Sequence, residues 1–111
     1  MYLIRGGHDF NRERSPEEMQ KHMQKWVSWM GSLAEQGTLI GGQPLQNEGN
    51  TLIEGGKKLI DRPLVEGKEL VGGYLLVRAE NLDHATNIAR DCPGFEYGCT
   101  VEIREVSPMP T

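Results

Sequence analysis

Apolar residues recur along this chain with the period of two typical of strands in some segments, and with the period near 3.6 typical of helices in others. Residues 15–37 and 81–92 have the helical period. The segments expected to form strands are residues 2–5, 39–42, 51–54, 57–60, 70–78 and 97–104. This order predicts an α+β domain with an elaborated βαββαβ pattern, in which both helices pack on one face of an antiparallel sheet.

The first helix has clear start and end signals. Ser15 and Glu18 are spaced as in a capping box, and Pro16 suits the first turn because its missing N–H costs nothing there. Gly37 can end the helix. Five apolar residues at steps of four and three form one stripe, expected to contact the core or a second subunit: Met19, Met23, Trp26, Met30 and Leu33.

A glycine pair in the middle of the chain predicts a hairpin. Gly55 and Gly56 separate the strand segments 51–54 and 57–60 and can take the positive φ angles of a tight turn. The second strand leads directly into Asp61. An acid at a strand end is held by a rigid scaffold and still reaches solvent, which suits proton transfer.

The last third of the chain predicts a central strand, a short helix and a final strand. Residues 70–78 are a continuous apolar run suited to a strand covered on both faces. Asn81 can cap the second helix, and Pro93 and Gly94 can stop it. Alternation along the final strand places one set of side chains on its buried face: Tyr97, Cys99, Val101 and Ile103.

The sheet is expected to have one face without helices. Either water or a second subunit must meet that face, and we expect a homodimer.

Length and charge restrict the class of protein. The 111 residues, 12.4 kDa, suffice for one domain, which we place at residues 1–106, and residues 107–111 form a tail with two prolines. The net charge of −4 opposes attraction to phosphates, so we expect no nucleic-acid partner. No apolar run is long enough for a membrane helix or a signal peptide, and we therefore expect no membrane partner and a cytoplasmic protein.

The motifs for metals and cofactors are missing from the sequence. Cys92 and Cys99 lack the spacing of a zinc or redox motif, and we expect reduced packing residues, with a disulfide between them as the alternative. No three-ligand metal motif and no phosphate-cradling glycine loop occurs. We expect neither a metal nor a cofactor.

His22 and Asp61 are the best candidates for proton chemistry. His22 borders the apolar stripe of the first helix, three residues after Met19 and four before Trp26, so it can point toward the sheet. If the helix crosses near the strand that ends at Asp61, the carboxylate can hold one imidazole nitrogen and leave the other as an acid or base. The alternative is a structural hydrogen bond between helix and sheet.

The sequence resembles the YCII-related, or DGPF-domain, family over nearly its whole length. The segments that carry this resemblance, in the same order as in the family, are residues 15–23, 41–45, 61–69, 72–74, 81–85, 92–93 and 101–104. The resemblance implies a ferredoxin-like fold assembled as a dimeric α/β barrel. It also implies a His and Asp pair in a cleft, which corresponds here to His22 and Asp61.

The sequence departs from the family motif beside Asp61. The usual Asp-Gly-Pro-Phe is Asp61-Arg62-Pro63-Leu64 here, so a glycine becomes a cation and an aromatic becomes an aliphatic residue. Arg62 either crowds the cleft or contacts an anion.

Four further residues are candidate substrate contacts. Glu66 and Lys68 match polar positions of the family motif, although a solvated charge cluster is the commoner arrangement. His8 follows the first strand and can face the same cleft or belong to an ordinary polar loop. Tyr74 can lend a hydroxyl group to a pocket or pack in the core.

Two functions fit these observations. The first is a small cofactor-free enzyme in which His22, oriented by Asp61, moves a proton on a small aromatic or anionic substrate in a lyase- or isomerase-like step. The second is a non-catalytic ligand-binding or regulatory module, which the family's occurrence beside sigma-factor domains suggests by resemblance. A shared fold does not select between them.

Overall fold

A computed structural model describes residues 1–6, 15–64 and 70–109 of the protein. The elements are β1 (Tyr2–Arg5), α1 (Pro16–Glu35), β2 (Leu39–Pro44), β3 (Thr51–Ile53), β4 (Lys58–Ile60), β5 (Val71–Val77), α2 (Leu82–Ala89), a 3-10 turn (Pro93–Tyr97, the 93–97 turn) and β6 (Thr100–Ile103).

The main sheet is antiparallel, with strand order β2-β5-β1-β6. The continuous apolar run forms β5, which pairs with β1 on one side and with β2 on the other. Its central place explains why it lacks the alternation of a half-exposed strand. Two helices and this sheet confirm the α+β class, and the strand order is compatible with a ferredoxin-like fold.

Helix α1 begins where its capping signals predict. The Ser15 hydroxyl accepts a hydrogen bond from the Glu18 backbone N–H at 3.2 Å, and Pro16 occupies the first turn. The helix ends at Glu35, and Gly37 follows with a φ of 74°, a left-handed conformation that glycine adopts without steric cost.

The core lies between the helices and one face of the sheet. Tyr2 is fully buried and packs with Leu75 and Ala89. The Tyr2 hydroxyl donates to the Ala85 carbonyl of α2 at 2.6 Å, so β1 and α2 are linked by a polar contact as well as by packing. The partly buried residues around this cluster are Ile4, Trp26, Trp29, Met30, Leu39, Val77, Ala85, Ile88, Val101 and Ile103.

One residue of the predicted stripe on α1 does not reach the core of the single chain. Met23 is 54% exposed, whereas its neighbour His22 is only 8% exposed. Leu33 is buried and Trp26 half-buried, as predicted. The buried face of the helix is therefore rotated toward the histidine, which lies within the stripe instead of beside it.

The start of the last strand is also predicted wrongly. Tyr97 belongs to the 93–97 turn, and β6 begins only at Thr100. Gly98 between them has a φ of 74°, which strand geometry does not allow. Tyr97 is nevertheless buried, because the turn packs against α1.

Strands β3 and β4 form a separate two-stranded antiparallel ribbon (the ribbon) in which Leu52 faces Leu59. Both leucines are largely exposed in the single chain. Asp61 follows the ribbon directly. Among the described residues, no helix is long and apolar enough to cross a membrane.

Candidate functional site

His22 is a buried polar side chain in the apolar interface between α1 and the 93–97 turn. It is the seventh residue of α1, at the end of the second turn, on the face that packs against the rest of the domain. Burial of an imidazole without polar contacts costs free energy, so its neighbours determine its chemical state. Those neighbours come from α1 itself and from the turn.

Trp26 makes the shortest described polar contact with His22. Its indole Nε1 donates a hydrogen bond to His22 Nε2 at 2.8 Å. The two residues are four apart on one helix, the spacing at which side chains of a helix face meet. Because Nε2 accepts this bond, the proton of the neutral imidazole is on Nδ1.

Tyr97 covers the ring of His22. The ring centroids are 3.7 Å apart and the planes differ by 33°. The Tyr97 hydroxyl is 3.5 Å from the Glu18 carbonyl of α1, at the limit of a hydrogen bond. The phenol ring thus lies against the first two turns of the helix and shields the imidazole from water.

Glu96 brings a carboxylate to the other ring nitrogen. Its Oε2 is 3.9 Å from His22 Nδ1, and its Oε1 accepts a hydrogen bond from Lys25 Nζ at 2.6 Å. A distance of 3.9 Å is too long for a direct hydrogen bond, but at this distance the carboxylate attracts a positive charge on the imidazole. Lys25 and Glu96 are about half-exposed, so solvent weakens both interactions.

A groove of about 420 Å³ lies beside this site, between α1 and the 93–97 turn. Lys25 and Glu96 contribute to its walls, so Glu96 connects the groove to His22. The other lining residues are Ser28, Trp29, Ser32, Asp91, Cys92 and Pro93.

Asp61 makes its described polar contact within the region of the ribbon. It is exposed after β4, and Asn50 donates to its Oδ1 at 2.8 Å once the amide is oriented to satisfy both of its groups. Among the described residues, no hydrogen bond or ion pair joins Asp61 to His22. Their pairing stays a prediction.

The predicted substrate contacts are placed as follows. Arg62 is exposed, and its carbonyl accepts from the Thr51 hydroxyl at 2.7 Å, which ties the end of the ribbon to its start. Tyr74 faces Leu3 of β1 and Gln43 of β2, on the sheet face opposite the core residue Leu75. The remaining three, His8, Glu66 and Lys68, lie outside the described residues.

Sequence reasoning missed three neighbours of His22. The helical period of the apolar residues places Trp26 in the core. Its spacing of four residues from His22 also indicates that the two side chains can meet and form a hydrogen bond. Glu96 and Tyr97 are missed because the sequence predicts the end of the second helix at Pro93 and Gly94 and a strand from Tyr97, with no ordered turn between them. Gly98, directly after Tyr97, was the signal that the chain turns there.

Cys92 and Cys99 lie near this site as thiols, with no disulfide between them. Burial raises the pKa of Cys92 to about 11, and the neighbouring Cys99 adds to the shift, whereas a hydrogen bond from the Gly94 backbone opposes it. Cys92 is therefore a packing residue with little thiolate at neutral pH. Within residues 1–6, 15–64 and 70–109, no group of three His, Cys, Asp or Glu side chains could hold a metal.

The fold and site define a small α+β protein with a buried histidine between a long helix and a 3-10 turn. The chain belongs to the YCII-related family, since the model of the YCII-related domain matches residues 7–110. The resemblance found in the sequence is thereby confirmed. No curated protein matches the chain.

Proposed function

We propose that this protein carries out acid–base chemistry on a small aromatic or anionic molecule without a cofactor, with His22 as the proton-transferring group. A step of the lyase or isomerase type needs only a group that gives and takes a proton near neutral pH, and histidine has that property.

The observation that carries the proposal is the hydrogen bond from Trp26 to His22 Nε2. Protonation of Nε2 would set two N–H donors against each other, so this contact favours the neutral imidazole. It also fixes Nδ1 as the nitrogen that carries the exchangeable proton. In this tautomer Nε2 is the basic nitrogen, so proton uptake during the reaction occurs at Nε2 and requires that the Trp26 N–H give up this bond when the substrate binds.

Asp61 is proposed as the second member of the pair. Its carboxylate is exposed at the end of the ribbon, where a substrate can reach it. The family match over this position supports the assignment. We further propose that Arg62, Tyr74, His8, Glu66 and Lys68 contact the substrate, with Arg62 binding an anionic group.

We also propose that two copies form a dimeric barrel, to which the ribbon is an addition. The sheet face that carries Tyr74 also carries half-buried Leu3 and Leu76, and a second copy would cover these apolar side chains. Two cysteines that form no disulfide with each other fit the reducing cytoplasm, where we place the protein.

One observation favours the alternative of a non-catalytic ligand-binding or regulatory module. The imidazole of His22 is buried and already bonded to Trp26, as a structural histidine would be. In that case the protein would bind a small molecule without changing it.

The test is a screen of small carboxylic acids and phenols by NMR, followed by turnover assays on each compound that binds. We expect a saturable site whose ligands shift the Trp26 indole N–H signal, with binding lost in His22→Gln and weakened in Asp61→Asn. The matched controls are His84→Gln and Asp83→Asn, both on exposed positions of α2. His22→Asn serves as a second variant if His22→Gln fails to fold.

The outcomes separate the two functions. Turnover that disappears in the folded His22 variants supports the enzyme. Binding without turnover of any bound compound supports the module. Wild-type affinity in both His22 variants would overturn the proposed site.

A further inference from the structure

We infer that Glu96 is a positioning residue for His22 and that Lys25 holds it in place, so that Lys25, Glu96 and His22 act as one electrostatic unit. The inference rests on the proposed function, because positioning has a purpose only if the imidazole transfers a proton. Its geometry is independent of Asp61.

The backbone of the 93–97 turn is anchored, which fixes the starting point of the Glu96 side chain. Pro93, Gly94 and Tyr97 are buried. A Cβ on Gly94 would lie 3.2 Å from Trp26 Cζ2 and 3.2 Å from Cys99 Cβ, so the turn is packed directly against α1 and against Cys99, which precedes β6. A carboxylate on this turn therefore has a defined position relative to the helix.

The two carboxylate oxygens of Glu96 have different neighbours on α1. Oε1 accepts from Lys25 Nζ at 2.6 Å, and Oε2 is directed to His22 Nδ1 at 3.9 Å. Lys25 and His22 are three residues apart on the helix, so they present their nitrogens to the same carboxylate. The ammonium group thus restrains the rotation of the carboxylate that faces the imidazole.

This arrangement complements the contact from Trp26. Trp26 leaves the proton on Nδ1, and Nδ1 is the nitrogen that faces Glu96. A carboxylate at this place stabilises positive charge on the imidazole as it takes a second proton, and Lys25 offsets part of that effect. The described charged or titratable side chains that contact His22 or its carboxylate neighbour are Lys25, Glu96 and Tyr97.

The experiment is an NMR titration of the His22 ring in wild type, Glu96→Gln and Lys25→Met. Removal of the carboxylate should lower the midpoint of the His22 titration, and removal of the ammonium group should raise it, each by about 0.2 to 0.7 pH unit for half-exposed charges. Glu35→Gln, on the exposed far end of α1, is the control and should leave the midpoint unchanged. If Glu96 and Lys25 had only a packing role, the two substitutions would not shift the midpoint of the His22 titration in opposite directions.

Equal midpoints in wild type, Glu96→Gln and Lys25→Met would overturn the inference. That failure is distinct from failure of the proposed function. If the midpoints move as expected but the His22 variants keep wild-type affinity for every compound of the screen, the electrostatic unit exists and the function is wrong. If the midpoints are equal but the His22 variants lose binding, the function stands without this unit.

Discussion

At the scale of single residues, the hydrogen bond from Trp26 to His22 Nε2 places the proton of the neutral imidazole on Nδ1. Replacement of Trp26 with Phe keeps a large aromatic ring and removes the N–H donor. We expect the midpoint of the His22 titration to rise by about 0.5 to 1 pH unit, because one buried hydrogen bond to the neutral ring is lost.

Trp29→Phe is the control for this variant. Trp29 contacts the Trp26 ring edge-on and belongs to the same partly buried layer, but the hydrogen bond to His22 Nε2 comes from Trp26. A midpoint that moves equally in both variants would contradict the role of the Trp26 donor.

A second residue-scale prediction concerns Tyr2 at alkaline pH. Burial raises its pKa to about 12 from 10.0, with a further contribution from Cys92. The unfolded phenol loses its proton first, so stability should fall as pH rises from about 10 toward 12. Urea unfolding of Tyr2→Phe should show about 1 kcal/mol lower stability at pH 8, from loss of the bond to Ala85, and a shallower decline above pH 10.

Equal alkaline slopes for wild type and Tyr2→Phe would contradict the assigned cause. Cys92, whose pKa is raised to about 11, contributes to the decline in both proteins, and Cys92→Ala measures that share.

Single residues also show which parts of the site the sequence could predict. His22 was identified because its helical spacing from Met19 and Trp26 placed it next to the apolar stripe. Glu96 was not, since its approach to His22 depends on how the 93–97 turn packs against α1, a contact between distant parts of the chain. Spacing along one helix predicts neighbours on that helix only.

At the scale of elements, periodicity succeeded where one rule governed a whole segment. The capping residues placed the start of α1 correctly, and the uninterrupted apolar run identified β5 as central. Periodicity failed at residues 97–99. Tyr97 matches the alternation of apolar residues in β6, but it belongs to the 93–97 turn. The left-handed Gly98 was the stronger local signal.

Close packing of β2 on β5 gives a prediction with a matched control. A Cβ on Gly42 would lie 2.4 Å from the Leu75 Cδ2 atom and 2.6 Å from the Tyr74 carbonyl oxygen, whereas a Cβ on Gly41 meets nothing within 4 Å. We expect Gly42→Ala to lower the free energy of unfolding by about 1 to 3 kcal/mol, because strands must shift apart. Gly41→Ala should be neutral or slightly stabilising.

Chemical denaturation of the two variants measures this difference. Equal stabilities of Gly42→Ala and Gly41→Ala would show that β2 does not approach β5 in the described register.

At the scale of the whole molecule, the sheet face opposite the helices is the surface on which we propose that a second copy packs. We expect sedimentation equilibrium to give twice the chain mass of 12.4 kDa at micromolar concentration. Leu76→Glu places a charge on that face and should yield the monomer, whereas Val27→Glu, on the exposed side of α1, should stay dimeric. A monomeric wild-type protein would contradict the proposed barrel.

The proposed chemistry depends on His22 being held as a neutral imidazole with its proton on Nδ1. A long-range ¹⁵N–¹H correlation spectrum of the His22 ring at pH 7 tests this state most directly, because the two ring nitrogens have different chemical shifts in the two tautomers. We expect a protonated Nδ1 and an unprotonated Nε2 that accepts from Trp26. A proton on Nε2, or an imidazole already charged at pH 7, would contradict it.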